Sequence, residues 1–479
     1  MSVADLDVLE AAARLRDGGL TAADLLRAAR ERIADLDGDL GCYRWLELAA
    51  PPAGPPGPSP LWGIPYGIKA NLWARGAPAD CASRLLAGWV PPADAAAVAR
   101  LRAAGAVLLG TLNLDEFAMG SSTEHAWGLA TRNPWHPDHV PGGSSGGAAA
   151  AVAAGLAGFA LGSDTGGSVR HPAHCCGVTG LIAGYGRVSR RGLVPHATSL
   201  DRVGVLTRSV ADAAAVLAHV AGRDAGDATS TDLAEPDPVA ATRRVCRGLR
   251  VGWVRGLERW ADADTLADQA RCRSILADAG AVLDPVDLPD TDLALAAYTI
   301  LASAEAGADL ARYDGGHLGP RAFGGDHAAA AAAARTAGFG AEVRLRLLTA
   351  AHVLRAGHAD RWAGRAARAR ALIHRELRDL LHDRHVLLLP TAAGPAFRRG
   401  ERTGDPVAMR DADRFTVPAS LAGLPALTVP TTLTAAGLPL SAQLIGRDDG
   451  EGALLTLGAA LERGADFDAR RKESPWRRR

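Results

Sequence analysis

The chain has 479 residues, of which 48% are hydrophobic and 22% are charged, so it is globular and long enough to bury a core without disulfides or a structural metal. Its 53 basic and 53 acidic residues cancel, which argues against a chain that binds nucleic acid unaided, because phosphates need a basic face. Six cysteines without CxxC spacing are typical of a reduced compartment. With no signal-peptide pattern and no apolar run near the roughly 18 residues of a membrane span, we expect a cytoplasmic protein without membrane contact.

The N-terminal region, residues 1–60, is predicted to hold two helices and a loop. Hydrophobic periodicity predicts the amphipathic helices over residues 4–35, and Thr21 is the expected N-cap of the second. Residues 51–60 are rich in Pro and Gly and therefore predict a surface loop.

Residues 61–220 alternate short apolar strands with helical segments. Strands are predicted at 64–68, 106–109 and 158–161, and a helix at 93–104. This alternation predicts an α/β fold with a mixed sheet covered by helices. Residues 221–245 are polar and rich in turn formers, which indicates a linker loop.

The sheet is predicted to continue in residues 246–465. Strand-like segments lie at 249–254, 281–286, 386–389, 426–429 and 441–445, and residues 326–384 have an almost wholly helical pattern that suggests a cap. The sheet is therefore expected to be built from both halves of the chain. Residues 466–479 form a basic tail, and we expect residues 470–479, which include six basic side chains, to be solvated and disordered; a specific RNA contact is the alternative.

Lysine is nearly absent from this chain. Of the 53 basic residues, 51 are arginines and only Lys69 and Lys472 are lysines. Because Lys472 lies in the predicted tail, Lys69 is the only lysine of the folded body. A buried amine can lose its proton whereas a guanidinium cannot, so Lys69 is a candidate base. The alternative is a lysine that survived by chance.

Three glycine-bounded loops need a joint explanation: residues 63–69 (GIPYGIK), 141–147 (PGGSSGG) and 162–170 (GSDTGGSVR). Glycine allows close backbone approach, so the N–H groups after Thr165 can line one concavity that suits an oxyanion. A serine there needs a base. His171, His174 and His196 would allow a Ser-His-Asp triad, but no GxSxG turn is present, so a Ser–Lys pair with a second serine as relay fits better. Flexible linkers remain the alternative.

These loops resemble the signature of the amidase family, GGSSGGS followed by G-[ST]-D-[TI]-G-G-S-[IV]-R. The resemblance implies one large α/β domain over residues 1–479, with a mixed sheet covered by helices on both faces, and no metal or cofactor in this chain. It also implies residue roles: Ser168 as nucleophile, Ser144 as relay on a cis peptide after Gly143, and Lys69 as base. The implied oxyanion donors are Thr165, Gly166 and Gly167.

Within the family, the chain resembles the glutaminase (A) subunits of tRNA-dependent amidotransferases more than a generic amidase. The similarity lies in residues 114–124, 131–135, 185–189, 310–315 and 338–343. It implies that Arg346 binds the α-carboxylate of glutamine and that Asp413 binds its α-ammonium group. Two such charge-assisted hydrogen bonds would recognise a free amino acid. Met119, Gly120 and Ser121 are the further implied substrate-binding residues. The alternative is that Arg346 and Asp413 are charged residues on the surface that do not bind substrate.

The leading hypothesis is therefore an enzyme that releases ammonia from glutamine for a partner that amidates Glu-tRNA(Gln) or Asp-tRNA(Asn). No phosphate-binding GxxxxGK[ST] loop occurs in this chain, so ATP and Mg²⁺ are expected on a kinase/transamidase B subunit, with a small C subunit and tRNA bound mainly through the partner. Two alternatives stay open: an amidase that acts on another carboxamide, alone or in a biosynthetic pathway, and a non-catalytic scaffold protein. Ala70, where the family has an aspartate, and residues 182–184 depart from the pattern.

Overall fold

The first two helices lie where the hydrophobic periodicity predicts them. The computed structural model describes residues 2–47, 50–316, 318–319, 326–471 and 474–476. Helix α1 spans Val8–Arg16 and α2 spans Ala22–Leu40. Thr21 is the N-cap of α2, as predicted: its Oγ1 accepts a hydrogen bond from the Asp24 amide at 3.1 Å, and the Asp24 carboxylate accepts from the Thr21 amide. This reciprocal capping fixes the start of α2.

The centre of the fold is an 11-stranded mixed sheet built from both halves of the chain, as expected. Its order is β1-β3-β2-β4-β6-β5-β10-β11-β9-β7-β8. The pairs β2–β3, β2–β4, β7–β8 and β7–β9 are parallel, and the others are antiparallel. In chain order the strands are β1 Tyr43–Leu46, β2 Pro65–Lys69, β3 Val107–Leu112, β4 Phe159–Asp164, β5 Thr179–Ile182, β6 Arg202–Thr207, β7 Arg250–Val254, β8 Val282–Val286, β9 Val386–Pro390, β10 Ala426–Leu433 and β11 Pro439–Gly446.

Helices cover both faces of this sheet. Beyond α1 and α2 they are α3 Ala96–Ala103, α4 Gly146–Ala153, α5 Arg170–Cys176, α6 Val210–Val220, α7 Pro238–Ala241, α8 Ala263–Asp278, α9 Thr291–Asp309, α10 His327–Gly338, α11 Ala341–Leu354, α12 Ala359–His382, α13 Pro406–Asp411, α14 Val417–Ala422, α15 Glu451–Ala465 and α16 Phe467–Arg471. Successive strand residues point to opposite faces of the sheet, so each strand contributes side chains to the two hydrophobic cores on either side of it. In β9, Leu387 and Leu389 belong to the apolar cluster that includes residues of α9 and α12, whereas Val386 and Leu388 belong to the cluster that includes residues of α6 and α15.

Three strands, β1, β5 and β6, were not predicted. Strands β1 and β5 have only four residues each, too few for a pattern to separate a strand from a loop. The six residues of β6, RVGVLT, include an arginine, a glycine and a threonine, so they form neither a continuous apolar run nor a strict polar alternation. The segment 221–245, predicted as a linker loop, contains the short helix α7.

The expectation of a solvated, disordered tail over residues 470–479 is wrong for Arg471 and Trp476. Arg471 is buried at the end of α16 and donates a hydrogen bond to the Arg208 carbonyl at 2.6 Å, and Trp476 is buried as well. Charge alone favoured a solvated tail, but a guanidinium can be buried where it meets a carbonyl oxygen. Residues 472–473 and 477–479 of this predicted tail lie outside the described residues.

One helical segment, Thr291–Arg312, is long and apolar enough to cross a membrane by length and composition alone. It consists of α9 and the following 3₁₀ turn, and it packs against α11, α12 and α14. Because the core helix of a folded domain passes the same test, this observation by itself is weak evidence for a membrane span.

Candidate active site

The three glycine-bounded loops meet at one edge of the sheet. Lys69 is the last residue of β2, and β2 runs parallel to its neighbour β4, so the segments that leave both strands emerge on the same side. Ser144 lies just before α4, and Ser168 lies between β4 and α5. The Ser145 amide donates to the Ser168 carbonyl at 3.0 Å, which joins the two serine loops. The Gly143–Ser144 peptide is cis, as expected.

Lys69 contacts Ser144 directly. Its Nζ lies 2.7 Å from Ser144 Oγ and 2.9 Å from Ser163 Oγ, and all three side chains are buried. Burial lowers the pKa of Lys69 from 10.5 to about 7, although the nearby carboxylates of Asp115 and Asp164 oppose this shift. Near neutral pH much of the amine is therefore uncharged and can accept a proton from Ser144.

The loop between β4 and α5 presents unpaired backbone donors. The amides of residues 165–168 donate no hydrogen bond to another described residue. The loop is held at its ends instead, because Asp164 accepts the Val169 amide at 3.0 Å and forms a fully buried ion pair with Arg170. Ser168 is 7% exposed whereas Ser144 is fully buried, so Ser168 is the more accessible of the two hydroxyls. The geometry suits an oxyanion beside Ser168.

Two glycines of this loop are required by space. A Cβ on Gly167, whose φ is +154°, would overlap Thr416 Oγ1. A Cβ on Gly166 would lie 2.6 Å from the ring of Tyr298. Thr165, at the start of the loop, is fixed by its hydroxyl, which donates to Asp201 Oδ1 at 2.6 Å. The loop therefore packs tightly on three sides.

Arg346 and Asp413 are buried beside this loop, so the alternative of two surface charges is excluded. On α11, Arg346 donates from Nε to Glu342 at 2.8 Å, while its other guanidinium nitrogens bond to no described residue. Asp413 Oδ2 accepts from Ser121 Oγ at 2.5 Å. Asp413 Oδ1 has no partner among the described residues, and it lies 3.1 Å from where a Cβ on Gly167 would be. Burial raises the pKa of Asp413 to about 7.

The predicted residues 119–121 form a turn that Asp115 holds. The Asp115 carboxylate accepts the amides of Thr123 at 2.8 Å and His125 at 3.1 Å, which curls the segment around it. Ser121 reaches the site through its bond to Asp413, and Gly120 has a φ of +153° that suits this turn. The Met119 side chain is fully buried in an apolar cluster.

Tyr298 is a residue of this site that the sequence did not reveal. This residue lies on α9, its ring contacts the backbone of Gly166, and it interacts electrostatically with Arg346 and Asp413. Burial raises the pKa of its phenol, so the ring stays neutral. A lone tyrosine in an apolar helix was the available signal, since the chain has only five tyrosines.

The three histidines do not form a triad with either serine. His174 bonds to Ser441 Oγ at 2.7 Å and to the Gly394 carbonyl at 3.0 Å, and His171 contacts Cys175 Sγ. Within the described ranges, no histidine ring hydrogen-bonds to Ser144 or Ser168, and no group of three or more His, Cys, Asp or Glu side chains could hold a metal ion. The Ser–Lys hypothesis is the one that the contacts support.

Comparison with known proteins agrees with this geometry. The amidase family model matches residues 50–455 of the chain. The chain belongs to the amidase family. This membership confirms the resemblance inferred from the glycine-rich loops, and the chain is accordingly an enzyme of amide chemistry with the single α/β domain that was expected.

Among its relatives, the chain is 47% identical over 419 residues to the A subunit of the glutamyl-tRNA(Gln) amidotransferase of Moorella thermoacetica, a match covering 86% of this chain and 85% of the relative. The crystal structure of the corresponding A subunit from Thermotoga maritima superposes with a TM-score of 0.82 at 34% identity, covering 99% of this chain and 96% of that one. The peptide amidase of Stenotrophomonas maltophilia is also similar, with a TM-score of 0.78 at 31% identity and coverages of 96% and 97%.

Proposed function

We propose that the protein is the glutamine-hydrolysing component of a tRNA-dependent amidotransferase, which supplies ammonia for the amidation of Glu-tRNA(Gln) or Asp-tRNA(Asn). The observation that carries the proposal is the pair of buried side chains of Arg346 and Asp413: a guanidinium, and beside Gly167 a carboxyl group whose Oδ1 has no partner among the described residues. A free amino acid has one anionic and one cationic group on its α-carbon, so this pair matches it. The names of the similar amidotransferase A subunits support the same assignment.

In the proposed mechanism Ser168 Oγ attacks the carboxamide carbon of the substrate. The Ser168 proton passes to Ser144, whose own proton passes to neutral Lys69, while the amides of residues 165–168 hold the developing oxyanion. The proton returns from Lys69 through Ser144 to the leaving nitrogen as the C–N bond breaks, and ammonia departs. Water then cleaves the Ser168 ester by the same proton path and releases the acid.

Partner subunits follow from the acceptor chemistry. Ammonia adds to an activated carboxyl group, and activation with ATP and Mg²⁺ needs a phosphate-binding site on another chain because this sequence has no GxxxxGK[ST] loop. With a net charge of zero, tRNA binding falls mainly to that kinase/transamidase partner. We place a small bridging protein in the same cytoplasmic complex. Similarity to a peptide amidase keeps a second candidate, an amidase for another carboxamide.

Three substrates separate these candidates: glutamine, glutaramic acid, which lacks the α-amino group, and 4-aminobutanamide, which lacks the α-carboxylate. Loss of one charged hydrogen-bond partner costs about 10- to 100-fold in kcat/KM. We expect Arg346→Ala to lose activity on glutamine and glutaramic acid only, and Asp413→Asn to lose it on glutamine and 4-aminobutanamide only. Ammonia release, with and without co-purified partner subunits, is the measurement.

The matched control is Arg375→Ala, because Arg375 is exposed on α12 and hydrogen-bonds to no described residue. It should leave all three rates unchanged. Equal losses on all three substrates in the Arg346 and Asp413 variants would assign these residues to structure and would favour the amidase for another carboxamide. The amidase for another carboxamide would also be favoured if the isolated chain were fully active and no partner subunit changed its rate.

A further inference from the structure

Thr416 is a buried residue at the start of α14 whose hydroxyl does not cap that helix. It is the N-cap residue of Val417–Ala422, a position where a threonine side chain ordinarily accepts a hydrogen bond from the second or third helical amide. No such bond forms here, although the side chain is fully buried. The partner of this hydroxyl therefore lies outside α14.

The hydroxyl of Thr416 contacts the loop whose amides are unpaired, residues 165–168. Its Oγ1 lies 2.7 Å from the Gly166 carbonyl oxygen and 3.0 Å from the Asp413 carbonyl oxygen. The Asp413 carbonyl already accepts two backbone amides, whereas the Gly166 carbonyl accepts from no other described group. Because a buried acceptor without a partner is costly, the single hydroxyl hydrogen is directed to Gly166.

This hydrogen bond sets the direction of the Gly167 amide. The Gly166–Gly167 peptide is trans, so its C=O and its N–H point in opposite directions. With the carbonyl held on Thr416, the Gly167 N–H points away from that side chain, and it donates to no described residue. A hydrogen bond accepted at the carbonyl also polarises the peptide and strengthens its N–H as a donor. The contact therefore both orients and strengthens one of the unpaired amides.

The backbone of Thr416 is tied to the same loop without help from the hydroxyl. Arg170, which follows the loop, donates from Nη1 to the Thr416 carbonyl at 2.8 Å and forms the buried ion pair with Asp164, which precedes the loop. The Thr416 amide donates to the Asp413 carbonyl at 3.1 Å. Removal of the hydroxyl alone should therefore leave the start of α14 in place and release only the Gly166 carbonyl.

We propose that Thr416 is a positioning residue for the oxyanion. Through the Gly166 carbonyl it holds the Gly167 N–H toward the substrate oxygen that becomes negative when Ser168 attacks the carboxamide. Because that charge develops in the transition state and is absent from the bound amide, the hydroxyl should accelerate the chemical step without tightening substrate binding. This inference rests on the proposed function, since it takes Ser168 as the nucleophile.

The test compares Thr416→Val, which keeps the shape of the side chain without the hydroxyl, and Thr416→Ser, which keeps the hydroxyl. The substrates are glutamine and butyramide, and butyramide has no charged group that Asp413 could bind. For Thr416→Val, kcat should fall about 10- to 100-fold on both, less than the about 10²–10³-fold for outright loss of one oxyanion donor, while KM stays within about twofold. Thr416→Ser should recover most of kcat.

The matched control is Thr456→Val on α15. Thr456 is buried, and its Oγ1 lies 2.8 Å from the carbonyl oxygens of both Ala241 and Gly452, so this variant also removes a buried hydroxyl that lies between two carbonyls. Its melting temperature should fall by an amount similar to that of Thr416→Val, because each variant leaves a buried carbonyl unpaired. Its kcat should stay within about twofold of the unsubstituted protein.

Inhibition by butyraldehyde provides a second readout. Ser168 Oγ adds to the aldehyde carbon, the Ser168 proton passes to Ser144, and the aldehyde oxygen becomes the oxyanion. The inhibition constant should therefore rise about tenfold or more for Thr416→Val and change by less than about twofold for Thr456→Val.

The inference would be overturned if Thr416→Val kept its kcat, if only its KM changed, or if Thr416→Ser did not recover activity. An equal loss of kcat in Thr456→Val would also overturn it, because the loss would then belong to the fold as a whole. If Ser168→Ala abolishes hydrolysis and Thr416→Val does not slow it, the inference fails while the proposed function stands. If the unsubstituted protein releases ammonia from neither substrate, both fail.

Discussion

The pH dependence of amide hydrolysis should follow the buried amine of Lys69. Burial moves its pKa from 10.5 to about 7, which at pH 7 raises the neutral fraction by about three orders of magnitude over an exposed lysine. Only the neutral amine can accept the proton from Ser144, 2.7 Å away. We therefore expect kcat/KM to be level above pH 7 and to fall about tenfold per unit below it, reaching about 100-fold at pH 5.

The assay measures ammonia release from butyramide between pH 5 and 9, because this amide has no group that titrates in that range. Burial also raises the pKa of Asp201 to about 7, so Asp201→Asn is the control. An asparagine there can still accept the His196 and Ala197 amides and bond to Thr165. The fall of kcat/KM below pH 7, the acidic limb of the profile, should persist in this variant.

Lys69→Arg completes the experiment, because a guanidinium stays charged at every pH tested. We expect its residual activity to have no acidic limb. The reasoning would be refuted by a butyramide profile that keeps rising through pH 9, which is the behaviour of an ordinary lysine, or by one that is flat from pH 5 to 9. Substantial turnover of Lys69→Arg with an unchanged limb would also refute it.

Two other predictions concern the serines and the carboxyl group of Glu462 on α15. Ser168→Ala should lower kcat by about 10⁴-fold or more and abolish the acyl-enzyme that mass spectrometry detects. Ser144→Ala should lower kcat by about 10²–10⁴-fold. Equal retention of the acyl-enzyme in both variants would contradict these roles. Burial raises the pKa of Glu462 from 4.5 to about 8, so the folded protein binds this proton more tightly than the unfolded chain does. The free energy of unfolding therefore falls as the pH rises from 4.5 to 8. Glu462→Gln, which keeps an acceptor for the Val210 amide, should stabilise the protein by about 1–3 kcal/mol more at pH 8 than at pH 5 in denaturant unfolding, and a pH-independent difference would contradict this.

Much of the fold was predictable because its signals are local. Thr21 and Asp24 form a capping box within one turn, and the apolar run of β9 is continuous in sequence. Strands β1, β5 and β6 escaped prediction because β1 and β5 have only four residues each and β6 has no continuous apolar run, so their identity depends on the neighbours with which they pair. The buried tail helix α16 escaped for a similar reason, since its Arg471 is satisfied by a carbonyl far away in the chain.

By itself, the sequence determined the family, the α/β class and the identity of Lys69, Ser144 and Ser168 as candidates, because glycine spacing and an isolated lysine are written in a few contiguous residues. Only the tertiary structure decided that Arg346 and Asp413 are buried, that Tyr298 lies on the Gly166 backbone, and that the pKa of Lys69 falls to about 7. These properties arise from segments distant in the chain that exclude water around one another. Burial and the electrostatics that follow from it depend on which groups become neighbours, and folding alone sets that.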